Sequence, residues 1–89
     1  MKITIELSLY PLNENYTGII IGFIKNLKSY ESIKVFTTSM STYISGDYDE
    51  VMKIMTTELK SVHESIPDSS TVMKIIPKDL NIEDGYLNF

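Results

Sequence analysis

The 89-residue sequence predicts one α+β domain, built from a single antiparallel sheet and two helices. Three observations carry this prediction. The N-terminal ten residues alternate between apolar and polar side chains, which is typical of a half-buried strand. Two later segments carry apolar residues at helical spacing. Short runs rich in Ile, Val, Thr and Tyr lie between and after these segments, and such residues favour strands.

The first strand is predicted from Lys2 to Tyr10 and ends at Pro11, which cannot donate a backbone hydrogen bond. One face of this strand is aliphatic and consists of Ile3, Ile5, Leu7 and Leu9. The other face is polar and consists of Thr4, Glu6, Ser8 and Tyr10. We expect the aliphatic face to lie under the helices and the polar face to remain open.

The first helix is predicted to begin after Asn13 or Asn15 and to run to about Ser29. Its apolar stripe consists of Ile19, Ile20, Phe23, Ile24 and Leu27. Gly18 and Gly22 lie inside this helix, where glycine is unfavourable. We therefore expect both glycines to pack closely against the sheet.

The second helix is predicted to begin after Asp47, because Asp47 and Glu50 have the spacing of a capping box. With Asp49 they form an acidic cluster that also resembles a metal site. Acids placed before an apolar helical pattern favour capping over metal binding. The helix is expected to bury Val51, Met55, Leu59 and Val62, with Met52 and Ile54 beside them.

Three further strands are predicted, at Ile33–Thr37, Met40–Ser45 and Thr71–Ile76. The resulting order is β-α-β-β-α-β, which with antiparallel pairing is the ferredoxin-like plait with both helices on one sheet face. We assign residues 1–77 to this domain and residues 78–89 to a C-terminal tail.

The composition excludes several classes of function. A net charge of −4 with scattered lysines provides no basic stripe for nucleic acid. The absence of arginine favours a neutral or cationic ligand over a phosphorylated one. The absence of cysteine, of a signal peptide and of a membrane-spanning run indicates a cytoplasmic protein. A small domain with one open sheet face predicts self-association.

The sequence predicts no catalytic residue, no metal site and no cofactor. His63 is the one histidine, near the end of the second helix, and is interpreted as a surface residue. A nucleophile such as Ser39 or Ser41 would need this histidine as its base, without the glycines of a nucleophile elbow. No glycine-rich phosphate loop follows a strand. We expect a binding protein and not an enzyme.

Two segments resemble the thiamine-binding proteins of the YkoF-like group, formerly catalogued as a domain of unknown function. Residues 8–12, Ser-Leu-Tyr-Pro-Leu, close the first strand, and residues 40–52 lead into the second helix. The resemblance extends from Ile3 to about Ile76. It implies a ferredoxin-like domain, similar to the ACT fold, that assembles through its sheets into a homodimer or homotetramer and binds thiamine or its hydroxymethylpyrimidine half.

The candidate ligand contacts lie at the end of the first strand and in the turn between the second and third strands, which match the family's motif. Glu6 joins them because a carboxylate in the middle of a sheet needs a hydrogen bond or a cation. The full set is Glu6, Ser8, Tyr10, Thr37, Thr38, Ser39, Met40 and Ser41. The alternative is an ACT-like regulatory or structural oligomerisation module with a different small effector, such as an amino acid whose carboxylate contacts Lys34 or Lys74.

Overall fold

The computed structural model describes residues 1–82. Its six elements are β1 (Lys2–Pro11), α1 (Tyr16–Lys28), β2 (Ile33–Thr37), β3 (Thr42–Asp47), α2 (Tyr48–Ser65) and β4 (Ser69–Ile76). The strands form one antiparallel sheet in the order β2-β3-β1-β4, so β1 and β3 are central. This arrangement confirms the predicted ferredoxin-like α+β fold.

The hydrophobic core lies between the two helices and one face of the sheet. Ile3, Ile5 and Leu7 of β1 are at most 2% exposed on this face, as the alternation predicts. The other buried core residues are Leu9, Phe23, Leu27, Ile33, Ile44, Val51, Ile54 and Met55. The core therefore joins all of the elements before β4, and Met73 of β4 packs against its edge.

The opposite side of the sheet is called the open face below. The register places Tyr43 and Lys74 on either side of Glu6 at its centre. Its other members are Thr4, Ser8, Tyr10, Lys34, Phe36, Ser45, Ser70, Val72 and Ile76. The rings of Phe36 and Tyr43 stack there with their centroids 6.5 Å apart. The polar face of β1 thus points away from the helices, as predicted.

Strand β3 begins at Thr42 and ends at Asp47, two residues later at each end than predicted. The Thr38 hydroxyl accepts hydrogen bonds from the backbone N–H groups of Met40 and Ser41, at 3.2 and 3.1 Å. It also donates to the Ser41 carbonyl at 3.0 Å. These local bonds occupy backbone groups that strand pairing would otherwise use. The hydroxyl-rich run therefore forms a turn before the strand begins.

The start of α2 does not use the predicted capping box. Asp47 is the N-cap, but its side chain makes no cap hydrogen bond and lies 3.5 Å from the Met1 ammonium. Glu50 accepts a hydrogen bond from the Ser32 hydroxyl at 3.0 Å. The Tyr48 N–H donates to the Met1 carbonyl. The capping-box prediction is wrong because the chain terminus and Ser32 take up the two carboxylates.

The glycines of α1 do not pack against the sheet. Gly18 and Gly22 are both exposed, and a Cβ atom at Gly22 would have no neighbour within 4 Å. A Cβ atom at Gly18 would come within 2.6 Å of Asn15 Oδ1. The expectation of close packing is therefore wrong, and Gly22 faces solvent without a contact that requires glycine.

Residues 77–82 return across the open face at Thr4. The Thr4 hydroxyl donates to the Lys78 carbonyl at 2.8 Å and accepts from the Leu80 N–H at 2.9 Å. Thr4 and its cross-strand neighbour Ser45 are buried beneath this return, and Ile82 is buried as well. The first part of the predicted tail thus lies against the domain's own sheet, and residues 83–89 lie outside the described part of the chain.

Candidate functional site

The sheet has a notch where the C-terminal end of β1 extends beyond the first residue of β3. Pairing between β1 and β3 ends at Leu7 and Thr42, whereas pairing between β1 and β4 continues to Pro11 and Ser69. Among the described residues, 8–11 therefore have a neighbouring strand on the β4 side alone. Strand β3 begins only at Thr42 because the Thr38 hydroxyl organises the preceding residues into a turn.

A cleft of about 420 Å³ lies at this notch. The end of β1, the loop between β2 and β3, and α1 form its walls. It is lined by residues 7–12 and 37–42 and by Tyr16, Ile20, Phe23 and Ile24. Two segments far apart in the chain thus meet one helix at a single concave surface.

The cleft combines an apolar interior with a polar and aromatic rim. Leu7, Leu9 and Phe23 are buried core residues that reach its wall. Tyr10 and Tyr16 are 53% and 57% exposed at the rim. No lysine, aspartate or glutamate is among the lining residues in the described part of the chain. Such a surface suits a flat ring that carries a few hydrogen-bonding groups.

Two of the three hydroxyls in the β2–β3 loop, those of Thr38 and Ser41, have different hydrogen-bond partners. Thr38 uses its hydroxyl proton for the Ser41 carbonyl and its lone pairs for two backbone N–H groups. Thr38 therefore shapes the loop and has little bonding capacity left for a ligand. Ser41 Oγ donates to Glu6 Oε2 at 3.2 Å, which connects the cleft wall to the open face.

Glu6 lies beside the cleft and not in its lining. Its carboxylate accepts from Ser41 and pairs with Lys74, whose Nζ atom is 3.5 Å from Oε1. The carboxylate is therefore satisfied in the way that its position at the sheet centre requires. Because Lys74 is already paired with Glu6, it is a weaker candidate for binding the carboxylate of an amino acid.

The structure brings seven of the eight predicted contacts together in the lining of the cleft, and the eighth, Glu6, bonds to one of them. The prediction did not include the α1 residues Tyr16, Ile20, Phe23 and Ile24. Their spacing is that of a core stripe, so periodicity alone assigns them to packing. A signal was nonetheless present, because consecutive isoleucines 19–21 make the apolar surface of α1 wider than one packed stripe.

A second, more open groove lies between α2 and β4. It is lined mainly by Met52, Met55, Leu59 and Met73, with His63 at its edge. His63 Nε2 lies 2.8 Å from the Thr71 hydroxyl, so its role here is to link α2 to β4. Residues 1–82 contain no group of three metal-ligating side chains, and neither of their helices could cross a bilayer.

Solved structures share this fold. A protein from Streptococcus pneumoniae has a TM-score of 0.80 at 24% identity, over 94% of this chain and 96% of its own. A protein from Thermotoga maritima with a proposed role in thiamine biosynthesis or salvage has a TM-score of 0.82 at 17% identity, over 96% of both chains. A hypothetical protein from Methanocaldococcus jannascii has a TM-score of 0.73 at 26% identity, over 88% of this chain and 81% of its own. No curated protein matches the sequence.

The sequence also matches the profile of one protein family. The profile is that of the thiamine-binding proteins, and the match covers residues 5–80. This range includes α1, α2, three complete strands and most of β1, together with every candidate ligand contact. The chain therefore belongs to the thiamine-binding protein family.

Proposed function

We propose that this chain is a non-enzymatic binding protein whose ligand is thiamine or the hydroxymethylpyrimidine half of thiamine. Membership of the thiamine-binding protein family supports a small-molecule ligand. The Thermotoga maritima protein, with its proposed role in thiamine biosynthesis or salvage, supports the same class of ligand. The proposed site is the cleft at the end of β1.

The cleft is the observation that carries this proposal. Its volume of about 420 Å³ falls in the range of small-molecule pockets, roughly 300 to 1,000 Å³. The apolar wall suits the face of an aminopyrimidine ring, and the hydroxyls of Ser8 and Ser41 suit its edge. Tyr10 and Tyr16 at the rim suit the thiazolium cation through their ring faces.

The charge of the cleft favours unphosphorylated ligands. A diphosphate needs cationic side chains or a cluster of backbone N–H donors. The described lining contains no lysine, and the whole chain contains no arginine. We therefore expect thiamine and hydroxymethylpyrimidine to bind more tightly than thiamine diphosphate.

The side chains of the cleft also support a binding role without catalysis. General acid–base catalysis near neutral pH depends mostly on histidine or carboxylates with suitable geometry. Neither is among the described lining residues, and His63 lies at the separate groove between α2 and β4. We accordingly assign no residue a catalytic role and no cofactor to the site.

Self-association through the open face is part of the proposal, and so is a cytoplasmic location. Val72 is 57% exposed on this face, and the stacked rings of Phe36 and Tyr43 lie on the same side of the sheet. A second sheet would cover this apolar area. Light scattering during gel filtration should give a dimer or tetramer that Val72→Glu dissociates, whereas a monomeric wild type would contradict this part of the proposal.

Isothermal titration with thiamine, hydroxymethylpyrimidine and thiamine diphosphate tests the proposed function. We expect a Kd in the micromolar range or below for one of the first two compounds, and weaker binding of the diphosphate. Ser41→Ala should weaken binding about tenfold, because it removes one ligand hydrogen bond. Ser61→Ala, on the exposed surface of α2, is the matched control and should bind like the wild type. No heat from any of the three compounds at millimolar concentration would reject the proposal.

A further inference from the structure

The hydrogen bond between Ser41 and Glu6 has a fixed direction. Ser41 Oγ lies 3.2 Å from Glu6 Oε2. This is a long hydrogen bond, but an ionised carboxylate can only accept, so the proton comes from the serine. A serine hydroxyl carries a single proton. When that proton points to Glu6, the Ser41 oxygen has only lone pairs left for a ligand.

Lys74 contacts the other oxygen of the same carboxylate. Its ammonium lies 3.5 Å from Glu6 Oε1, on the side opposite to the bond with Ser41. Both side chains are more than a third exposed, so the ion pair contributes little to stability. Its main effect is to orient the carboxylate, because Oε1 faces a cation and Oε2 remains for Ser41.

Thr38 cannot take the place of Ser41. Its hydroxyl already donates to the Ser41 carbonyl and accepts from two backbone N–H groups. Ser41 therefore presents the cleft with a hydroxyl oxygen whose polarity is set by a neighbouring charge. A ligand group that meets this oxygen must supply its own hydrogen.

We propose that Glu6 is a positioning residue that makes Ser41 an acceptor toward the cleft, so that the site selects a ring with an amino group over the same ring with a carbonyl oxygen. This inference rests on the proposed function. The pyrimidine of thiamine carries an amino group that can donate to Ser41 Oγ. In oxythiamine a carbonyl oxygen occupies that position, and two acceptors that face each other form no hydrogen bond.

The test compares thiamine with oxythiamine, and hydroxymethylpyrimidine with its 4-oxo counterpart, by titration calorimetry. In the wild type the amino compound should bind at least about tenfold more tightly than its oxo partner. Glu6→Gln should reduce this ratio to about threefold or less, because an amide can donate to Ser41 and turn its proton toward the cleft. Ser41→Ala should reduce the ratio to near one.

Two variants separate positioning from a general loss of structure. Lys74→Met removes the cation but keeps the carboxylate acceptor, so the ratio should stay within about threefold of the wild type. Glu6→Asp keeps an acceptor and should retain more of the ratio than Glu6→Gln. Each ratio compares two ligands with the same variant, so a uniform loss of affinity cancels. If Glu6→Gln fails to fold, an unchanged ratio in Ser41→Ala still overturns the inference.

The outcomes distinguish this inference from the proposed function. Failure of both amino compounds to bind would reject the proposed function, and this inference with it. Binding of thiamine with oxythiamine within threefold would overturn the inference alone. An unchanged ratio in Glu6→Gln or Ser41→Ala would also overturn it, since the selection would then come from other residues.

Discussion

The two helices share one face of the sheet but use their apolar residues differently. Helix α2 is the more polar of the two, yet its Val51, Ile54 and Met55 are at most 2% exposed. Helix α1 is the more apolar, but in its 13 residues only Phe23 and Leu27 are buried. The aliphatic residues of α1 that remain partly or fully accessible are Ile19, Ile20, Ile21 and Ile24.

This difference shows where the core ends and the candidate site begins. Ile20 and Ile24 line the cleft beside the end of β1, so part of the apolar surplus of α1 forms the wall of a pocket. By contrast, α2 supplies residues that close the core over β1 and β3. We conclude that α2 mainly stabilises the domain, and that α1 divides its apolar surface between the core and the cleft.

The largest expected effect is on stability, from a buried core residue of α2, Met55, which is 2% exposed. Met55→Ala should lower the free energy of unfolding by about 2–5 kcal/mol, because it removes buried apolar atoms and leaves a cavity in the core. Urea denaturation followed by circular dichroism measures this loss. A loss below about 1 kcal/mol would contradict the assignment of α2 as the core helix.

The next effect should appear in ligand affinity, from α1. Ile20→Ala should weaken thiamine binding by about five- to thirtyfold, or about 1–2 kcal/mol, because it removes apolar contact in the cleft. Ile19→Ala is the matched control, since Ile19 is also half-buried but does not line the cleft. Titration of both variants sharpens the comparison, and equal affinity losses would show that the wall of α1 is not the site.

A smaller effect of opposite sign is expected at the solvent side of α1. Gly22→Ala should raise the free energy of unfolding by up to about 1 kcal/mol, because alanine is the better helix former and its Cβ meets no neighbour. Gly18→Ala should raise the free energy of unfolding by less, because its Cβ atom would displace the Asn15 side chain. Thermal unfolding of both variants measures the gain. A destabilised Gly22→Ala would indicate a contact on this surface that requires glycine.

The smallest effect concerns the contact between α2 and Tyr30, which lies in the segment after α1. The Tyr30 hydroxyl donates to Glu58 Oε2 at 2.7 Å, and this bond, with partial burial and the charges of Glu58 and Glu50, raises the pKa of Tyr30 above its usual 10.0. A raised pKa in the folded state gives stability that is present below pH 10 and lost as the pH rises further. The urea midpoint should therefore decrease more between pH 8 and pH 10.5 for the wild type than for Tyr30→Phe. Equal decreases would mean that the contact is too weak to matter.

Much of the fold follows from the sequence because its strongest signals are local. The alternation from Ile3 to Leu9 correctly predicts which face of β1 is buried. The predicted range Ile33–Thr37 agrees with β2. The apolar pattern of α2 agrees with the burial of Val51 and Met55, whereas Leu59 and Val62 are only partly buried. Periodicity of 2 or 3.6 residues reports which face is buried, and this is what a packed core requires.

The remaining features depend on contacts between distant residues. Glu50 bonds to Ser32 and Asp47 faces Met1, so the capping box was replaced by partners that local spacing does not reveal. The return of residues 77–82 depends on the Thr4 hydroxyl, more than 70 positions away. The α1 wall of the cleft was missed for a related reason, because a half-buried pocket residue and a core residue have the same spacing in a helix.

We propose that the ligand binds between α1, the end of β1 and the β2–β3 loop. Nuclear magnetic resonance of the ¹⁵N-labelled protein, titrated with thiamine, tests this claim most directly. We expect the amide shifts to change in residues 7–10, 12, 20–24 and 37–42, and those of 56–65 in α2 to stay unchanged. Changes centred on the groove around His63, or no changes at saturating thiamine, would contradict it.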